Sequence, residues 1–122
     1  YILPNNWNWD LAEDSYQFRD MANPTRAFLP VQFAQPQVYN GPNWQPTSNP
    51  FDNGGVHINS GVMNKWFHTL CTGQGPNGNN IAPISFDDAI KIVYQALRYH
   101  LQRTSKYADA RDAMRIAAWY LY

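Results

Sequence analysis

The sequence has a single cysteine, no long apolar run and no excess of charge of either sign. Nine basic and nine acidic residues give a formal net charge of zero. It therefore lacks the basic surface that binds a phosphate backbone, and no nucleic acid partner is expected. No apolar run approaches the roughly 20 residues that span a bilayer, so no membrane partner is expected either. Cys71 stands alone, which excludes an internal disulfide.

The chain also lacks an initiator methionine and a signal-peptide pattern, and it stops at Tyr122 directly after a helical pattern. We therefore expect it to be a piece of a longer polypeptide. Its 122 residues suffice for one modest core. Apolar residues make up 44% and charged residues 15%, which is typical of a folded chain. We expect a single domain over residues 1–122.

Apolar residues recur with helical spacing in the middle of the chain, at Val62, Met63, Trp66, Phe67 and Leu70. Asn59 or Ser60 is the expected N-cap, because small polar side chains accept hydrogen bonds from the first free amides. Gly73 is expected to end the helix, since glycine favours the left-handed conformation there. The stretch that follows contains three glycines and a proline and predicts a loop.

The clearest helix is predicted over 85–104. Ser85 is the expected N-cap, Asp87 and Asp88 occupy the first turn, where the helix dipole favours anions, and Arg103 occupies the last. The expected buried face consists of Phe86, Ala89, Ile90, Val93, Tyr94, Leu97 and Leu101.

A third helix is predicted over 106–121, with Thr104 or Ser105 as its cap. Its apolar stripe is formed by Tyr107, Ala110, Met114, Ala117, Ala118 and Leu121. The second half of the chain is therefore expected to be helical.

Prolines interrupt the first half of the chain repeatedly and leave few uninterrupted windows. A short helix from Glu13 to Ala22, ended by Asn23 and Pro24, is the one regular element predicted there. Residues 24–50 are too long for an ordinary connection, so they are expected to form a functional surface loop or a wrapping segment. The predicted fold class is mainly α with a long irregular N-terminal half.

A carboxylate, two glycines and a histidine precede the first predicted helix. Gly54 and Gly55 permit backbone angles that other residues avoid and allow another chain segment to approach closely. Across this bend, Asp52 is placed to reach one imidazole nitrogen of His57 while the other points outward. A carboxylate partner would fix the tautomer and favour the protonated ring. A histidine ahead of a helix is more often a surface or locally bonded residue than a catalytic one, so this alternative stays open.

The stretch DNGGVHINSGVMNKWFH, residues 52–68, closely resembles the D-N-G-G-V-H-x-N-S-G-I-x-N-K pattern of the thermolysin-like zinc metallopeptidases of the M4 family. The residues NWDLAEDSYQFRDMANP, 8–24, resemble that family's D-W-E-x-G-E-D stretch and the following R-S-M-x-D-P segment. The stretch from 91 onwards resembles its last helices, whereas residues 25–50 have no match. The resemblance implies the family's C-terminal helical domain, an orthogonal helical bundle.

In that family the metal lies between a mostly β N-terminal domain and the helical one, and the zinc ligands come from His-Glu-x-x-His and a later glutamate. His57, His68 and His100 do not have that spacing. The resemblance therefore implies a zinc enzyme whose metal and general base lie outside this chain. The family's final helix has no counterpart after Tyr122, which fits a truncated domain that is inactive by itself.

The resemblance assigns a role to each matching residue. His57 would donate a hydrogen bond to the oxyanion of the tetrahedral intermediate, and Asp52 would favour its donor form. Arg19 would bind a substrate carbonyl beyond the scissile bond, and Phe18 would help line the pocket for the neighbouring side chain. Without the resemblance, Arg19 beside Asp20 would be read as half of a surface ion pair.

The family also binds calcium through the D-W-E-x-G-E-D stretch. Here Asn8 replaces the first carboxylate, while Glu13 and Asp14 are kept. Because calcium prefers several charged oxygens among its six to eight ligands, the resemblance implies at most a weak calcium site.

The resemblance further implies a secreted endopeptidase, with a polypeptide substrate and an N-terminal peptidase domain as partners. One alternative is a non-catalytic binding or adhesion module in which Tyr39 and Trp44 contact a carbohydrate or a protein. Another is a thiol enzyme based on Cys71 and His68, although the sequence nominates no residue to orient that pair.

Overall fold

The computed structural model describes residues 8–11, 19–26 and 34–122. These residues form two short strands, four α-helices and two 3₁₀ turns, so the prediction of a mainly α fold is confirmed. The chain contacts divide after Pro83 into two compact units, which are described separately. In chain order the elements are β1 (Asp10–Leu11), β2 (Arg19–Asp20), a 3₁₀ turn (Pro24–Arg26), α1 (Asp52–Asn59), α2 (Gly61–Thr72), a 3₁₀ turn (Pro76–Gly78), α3 (Phe86–Tyr99) and α4 (Tyr107–Leu121).

The first unit begins with a small antiparallel ribbon. β1 pairs with β2, with Asp10 opposite Asp20 and Leu11 opposite Arg19. The helix predicted from Glu13 to Ala22 is therefore wrong at Arg19 and Asp20, because pairing with β1 overrides the local pattern. It is also wrong at 21–22, which form a bend, and the remainder of that prediction, 13–18, lies outside the described residues.

Helices α1 and α2 follow one another through Ser60, which has helical backbone angles, φ −58° and ψ −17°. Ser60 is the N-cap residue of α2, one of the two predicted, but its side chain makes no capping hydrogen bond, because the chain is already helical when it reaches this residue. The predicted end is confirmed, since Gly73 takes the left-handed conformation, φ 78°. The amide of Gly73 donates to the carbonyl of Thr69 at 2.8 Å.

Helix α3 in the second unit begins as predicted, because Ser85 Oγ accepts a hydrogen bond from the amide of Asp88 at 3.1 Å. It ends at Tyr99, so Arg103 does not lie in its last turn. His100 leaves helical geometry with φ −121°, and the amide of Leu101 bonds back to Ala96. The buried residues are Ala89, Ile92 and Ala96.

The predicted burial of Ile90, Tyr94 and Leu97 is wrong, as all three are exposed. Helix α3 packs against α4 in the second unit, and both bury mostly small side chains. Of the buried residues, Ala89, Met114 and Ala117 were predicted, whereas Ile92, Ala96 and Ala113 were not. Large side chains dominate a periodicity count, which therefore does not favour small residues such as Ala96 and Ala113.

Helix α4 begins one to two residues later than the predicted caps. Its N-cap is Lys106, whose amide donates to Asp109 Oδ2 at 2.8 Å, while Ser105 Oγ accepts from the amide of Gln102 in the preceding turn. Tyr122 OH donates to Asp88 at the start of α3, so the two helices run antiparallel. Among the described residues, no helix has the length and apolar content needed to span a membrane.

Candidate functional site

A left-handed turn introduces helix α1. Asp52, Asn53, Gly54 and Gly55 all have positive φ, at 54°, 48°, 79° and 80°. Only glycine adopts this conformation without a steric penalty, and asparagine and aspartate tolerate it better than other L-residues. The residues at these four positions are therefore of the types that the turn requires, and the right-handed helix starts at Val56.

The turn folds the Asp52 carboxylate back over the start of this helix. Its Oδ2 accepts hydrogen bonds from the amides of His57 and Ile58, both at 3.0 Å. Its Oδ1 lies 2.5 Å from Nδ1 of the His57 ring. One carboxylate thus caps two free helix amides and orients the imidazole, as the sequence predicted for the Asp52–His57 pair.

The hydrogen bond from the His57 ring, together with those from the two amides, holds the pKa of the Asp52 carboxyl below its usual value. The carboxylate is consequently ionised at neutral pH and accepts a hydrogen bond from Nδ1. Nε2 is then the ring nitrogen that Asp52 does not hold. The His57 side chain is 65% exposed, and Nε2 has no hydrogen-bond partner among the described residues. The ring is fixed at one edge and open to a ligand at the other.

Arg19 connects the ribbon to the same histidine. Its side chain donates from Nη1 to the carbonyl oxygen of His57 at 2.8 Å. The residue is only 9% exposed, which excludes the surface ion pair considered from the sequence. Burial lowers the pKa of the guanidinium, and the nearby Asp52 carboxylate opposes this effect. Arg19 is thus brought to the Asp52–His57 pair, whereas Phe18 lies outside the described residues.

Asn59 holds a distant segment beside the left-handed turn, and sequence reasoning missed this role. Its side-chain amide donates to the carbonyl of Gln45 at 2.8 Å and accepts from the amide of the same residue at 2.9 Å. An added Cβ on Gly54 would lie 2.7 Å from the carbonyl oxygen of Thr47, and one on Gly55 would lie 2.6 Å from Gln45 Cβ. The predicted close approach of another segment is therefore confirmed.

Lys65 anchors the ribbon from helix α2. Its buried Nζ donates to the carbonyl of Ala22 at 2.8 Å and lies 3.5 Å from Nδ1 of His68. Burial lowers the pKa of Lys65, and the Asp20 carboxylate opposes the change. Burial and the nearby Lys65 lower the pKa of His68. This cluster fixes the segment that carries Arg19; a buried lysine would not have been predicted from helical periodicity.

The described residues contain no cluster of three or more histidine, cysteine, aspartate or glutamate side chains that would hold a metal ion. A zinc ion therefore does not fit the side chains seen here. Of the proposed calcium ligands, Asn8 accepts a hydrogen bond from the amide of Asp10 at 2.9 Å, and Glu13 lies outside the described residues.

Cys71 lacks the properties of a catalytic thiol. Burial raises the pKa of its thiol, which disfavours the nucleophilic thiolate. The neighbouring His68 bonds instead within helix α2, where its Nδ1 lies 3.4 Å from Thr72 Oγ1. These observations argue against the thiol enzyme considered above.

The lowered pKa of Asp52 predicts an acid-dependent stability. Because its folded pKa lies below the ordinary value of 3.8, the stabilisation is complete above that value and is lost as pH falls through the lower folded pKa. The difference in unfolding free energy between the native protein and Asp52→Asn should therefore shrink between pH 5 and pH 2. Chemical denaturation at several pH values measures it. Asp112→Asn, which removes a carboxylate from exposed ion pairs in α4, controls for net charge; a difference that widens towards acid pH would contradict the prediction.

Comparisons with known proteins show the family to which this chain belongs. A sequence model of the family described as "Thermolysin metallopeptidase, alpha-helical domain" matches residues 4–122. Thermolysin of Alicyclobacillus acidocaldarius subsp. acidocaldarius and bacillolysin of Bacillus caldolyticus are each 34% identical over 123 residues, across 100% of this chain and 22% of the relative. A zinc metalloproteinase of Renibacterium salmoninarum is 37% identical over 92 residues, across 72% of this chain and 17% of the relative.

The chain belongs to the thermolysin metallopeptidase family and corresponds to its alpha-helical domain. It spans about a fifth of the length of the curated relatives it matches.

Proposed function

We propose that this chain is the C-terminal helical domain, residues 1–122, of a secreted zinc metalloendopeptidase, and that it supplies His57 for stabilisation of the transition state. The observation that carries the proposal is the Asp52–His57 pair, 2.5 Å between Oδ1 and Nδ1, with the ring 65% exposed. Membership of the family supports peptide bonds as the substrate class. The chain by itself would not hydrolyse peptides, because its sequence lacks His-Glu-x-x-His.

His57 acts in this proposal as a preorganised hydrogen-bond donor. When water adds to a peptide carbonyl, negative charge develops on the oxygen, and a donor fixed in advance stabilises that charge without reorganising. Because Nδ1–H donates to Asp52, Nε2 carries a hydrogen only when the ring is an imidazolium, and the Asp52 carboxylate compensates the positive charge of that form. The same carboxylate holds the His57 amide, which fixes the backbone as well as the ring.

Arg19 and Phe18 would bind the substrate beyond the scissile bond. Arg19 donates one hydrogen bond to the His57 carbonyl, and a guanidinium carries five N–H groups, so it can hold His57 and a substrate carbonyl together. Phe18 would line the adjacent side-chain pocket. Binding by these residues would place the scissile carbonyl against His57 Nε2.

The zinc ion would be held by residues of the N-terminal peptidase domain, which we propose as this chain's partner within the same polypeptide. A zinc ion in such a site acts as a Lewis acid and lowers the pKa of its bound water. Asn8 and Glu13 would contribute oxygen atoms to a weak calcium site.

The test uses the whole polypeptide that carries this chain. We expect its reading frame to encode His-Glu-x-x-His and a later glutamate before Tyr1. We also expect the purified protein to contain about one zinc per molecule by elemental analysis and to lose peptide hydrolysis when a chelator removes the metal. A protein without that motif, or one that cleaves peptides equally well without metal, contradicts the proposal.

The second candidate is the binding module, favoured by one aromatic pair. The rings of Tyr39 and Trp44 lie 4.6 Å apart at 58°, and Tyr39 is 60% exposed. Exposed aromatic faces are suited to sugars or to protein side chains. Glycan or protein capture that depends on Trp44 and is indifferent to His57→Ala would favour this candidate over the enzyme.

A further inference from the structure

The carbonyl oxygen of His57 is held by three side chains. Arg19 Nη1 donates to it at 2.8 Å and Ser60 Oγ at 2.5 Å. Gln35 Nε2 donates to the same oxygen at 3.5 Å, the long end of the hydrogen-bonding range. Arg19, Gln35 and Ser60 come from three separate segments, all within residues 4–122, the range that the family model matches. The expectation that residues 25–50 have no counterpart in the family is therefore wrong, and the third contact joins this segment to the histidine.

Gln35 occupies its position through its backbone as well as its side chain. It is completely buried, and its amide donates to the carbonyl of Pro24 at 3.1 Å. A Cβ added to Gly61 would lie 2.7 Å from Gln35 Cβ and 3.2 Å from Oε1. The absence of a side chain at Gly61 thus leaves the space that Gln35 occupies, next to helix α1, which carries His57.

The orientation of the Gln35 amide follows from its surroundings. Exchanging oxygen and nitrogen would place Oε1 against the carbonyl oxygen of His57, two acceptors facing each other without a proton between them. The NH₂ group must therefore face His57. Oε1 is buried and has no hydrogen-bond partner among the described residues. The side-chain amide therefore donates to the His57 carbonyl while its own oxygen accepts no hydrogen bond there.

We propose that Gln35 is a positioning residue for His57, through which the 34–50 segment controls the placement of the imidazole. Its amide and the Arg19 guanidinium hold the His57 carbonyl, while Asp52 holds the His57 amide and ring. The backbone of the histidine is thereby fixed at both ends. The expected effect of Gln35 on catalysis rests on the proposed function. Its effect on the position of the His57 ring does not depend on that function.

The test compares Gln35→Met with Gln37→Met in the whole polypeptide. Methionine keeps the length of glutamine and removes the donor. Gln37 is the matched control, because it lies in the same segment and donates to Asn23 Oδ1 at 3.2 Å without touching His57. We expect Gln35→Met to lower kcat about three- to tenfold with KM nearly unchanged, the size of one modest hydrogen bond, while Gln37→Met keeps kcat.

The second readout is independent of activity. With ¹⁵N-labelled histidine, the Nδ1–H resonance of His57 should shift or broaden in Gln35→Met and stay unchanged in Gln37→Met. Equal kcat values and an unchanged resonance would overturn the proposal, as would equal effects of both variants. Loss of the proposed function itself gives a different pattern: His57→Ala would leave kcat unchanged, while the resonance would still respond to Gln35→Met.

Should Gln35→Met fail to fold, Gln35→Glu keeps the shape of the side chain and also removes the donor. Its carboxylate competes for the Arg19 guanidinium and so withdraws Nη1 from the His57 carbonyl. We expect the same fall in kcat and a displaced His57 resonance. Native values of both in folded Gln35→Glu would reject the positioning role.

Discussion

Replacing His57 with alanine in the whole polypeptide is expected to lower kcat for peptide hydrolysis by about 10²- to 10³-fold, the usual effect of removing one donor to an oxyanion. KM should change little, since the hydrogen bond strengthens only as charge develops on the substrate oxygen. Steady-state kinetics on a single peptide substrate measure both constants. Because the His57 ring is exposed and caps no helix, folding should be preserved.

His100→Ala is the control for this variant, as it removes an imidazole at the end of helix α3 in the second unit. It should retain native kcat. A His57→Ala enzyme with native kcat, or one that loses activity only as far as it loses folded protein, would refute the catalytic role.

Gly55→Ala is expected to have the largest effect on stability. The new methyl group would meet Gln45 Cβ at 2.6 Å and Asn59 Nδ2 at 2.8 Å, at a backbone φ of 80°. The left-handed conformation costs a non-glycine residue about 1–2 kcal/mol, and overpacking adds about 1–3 kcal/mol. Since the clash also separates Asn59 from Gln45, we expect a loss of about 2–5 kcal/mol in the free energy of unfolding.

Gly78→Ala separates these two contributions. Gly78 has nearly the same φ, 77°, and nothing within 4 Å of an added Cβ, so it should show only the backbone cost of about 1–2 kcal/mol. Denaturant unfolding followed by circular dichroism compares the two variants. Equal losses would show that the segment at Gln45 is not packed against the turn.

The local features of the site could be predicted because they depend on neighbours in sequence. Asp, Asn and two glycines are the residues that a left-handed turn tolerates, and a carboxylate five residues before His57 reaches the ring across such a turn. The same holds for Ser85 and Gly73, since capping requires only nearby backbone groups. These predictions hold because the deciding partner lies within a few positions, although the cap predicted for α4 at Thr104 or Ser105 was wrong despite being equally local.

The remaining features depend on partners far away in the chain, and no periodicity shows them. Arg19 is 38 positions from the carbonyl it holds, and Lys65 is 43 positions from Ala22. Strand pairing of Arg19 with Leu11, eight positions away, also displaced part of a predicted helix. In α3, Ala89 is buried as predicted, but the helix also buries Ile92 and Ala96 and exposes the larger Ile90, Tyr94 and Leu97, so the buried face is rotated from the predicted one.

The central claim is that His57 binds the transition state more tightly than the substrate. Its most direct test is the inhibition constant of a peptide phosphonate, a tetrahedral anion, measured beside KM for the corresponding peptide in the native enzyme and in His57→Ala. We expect the inhibition constant to rise about 100-fold while KM stays within about twofold. An equal rise in both constants, or no change in either, would contradict the account.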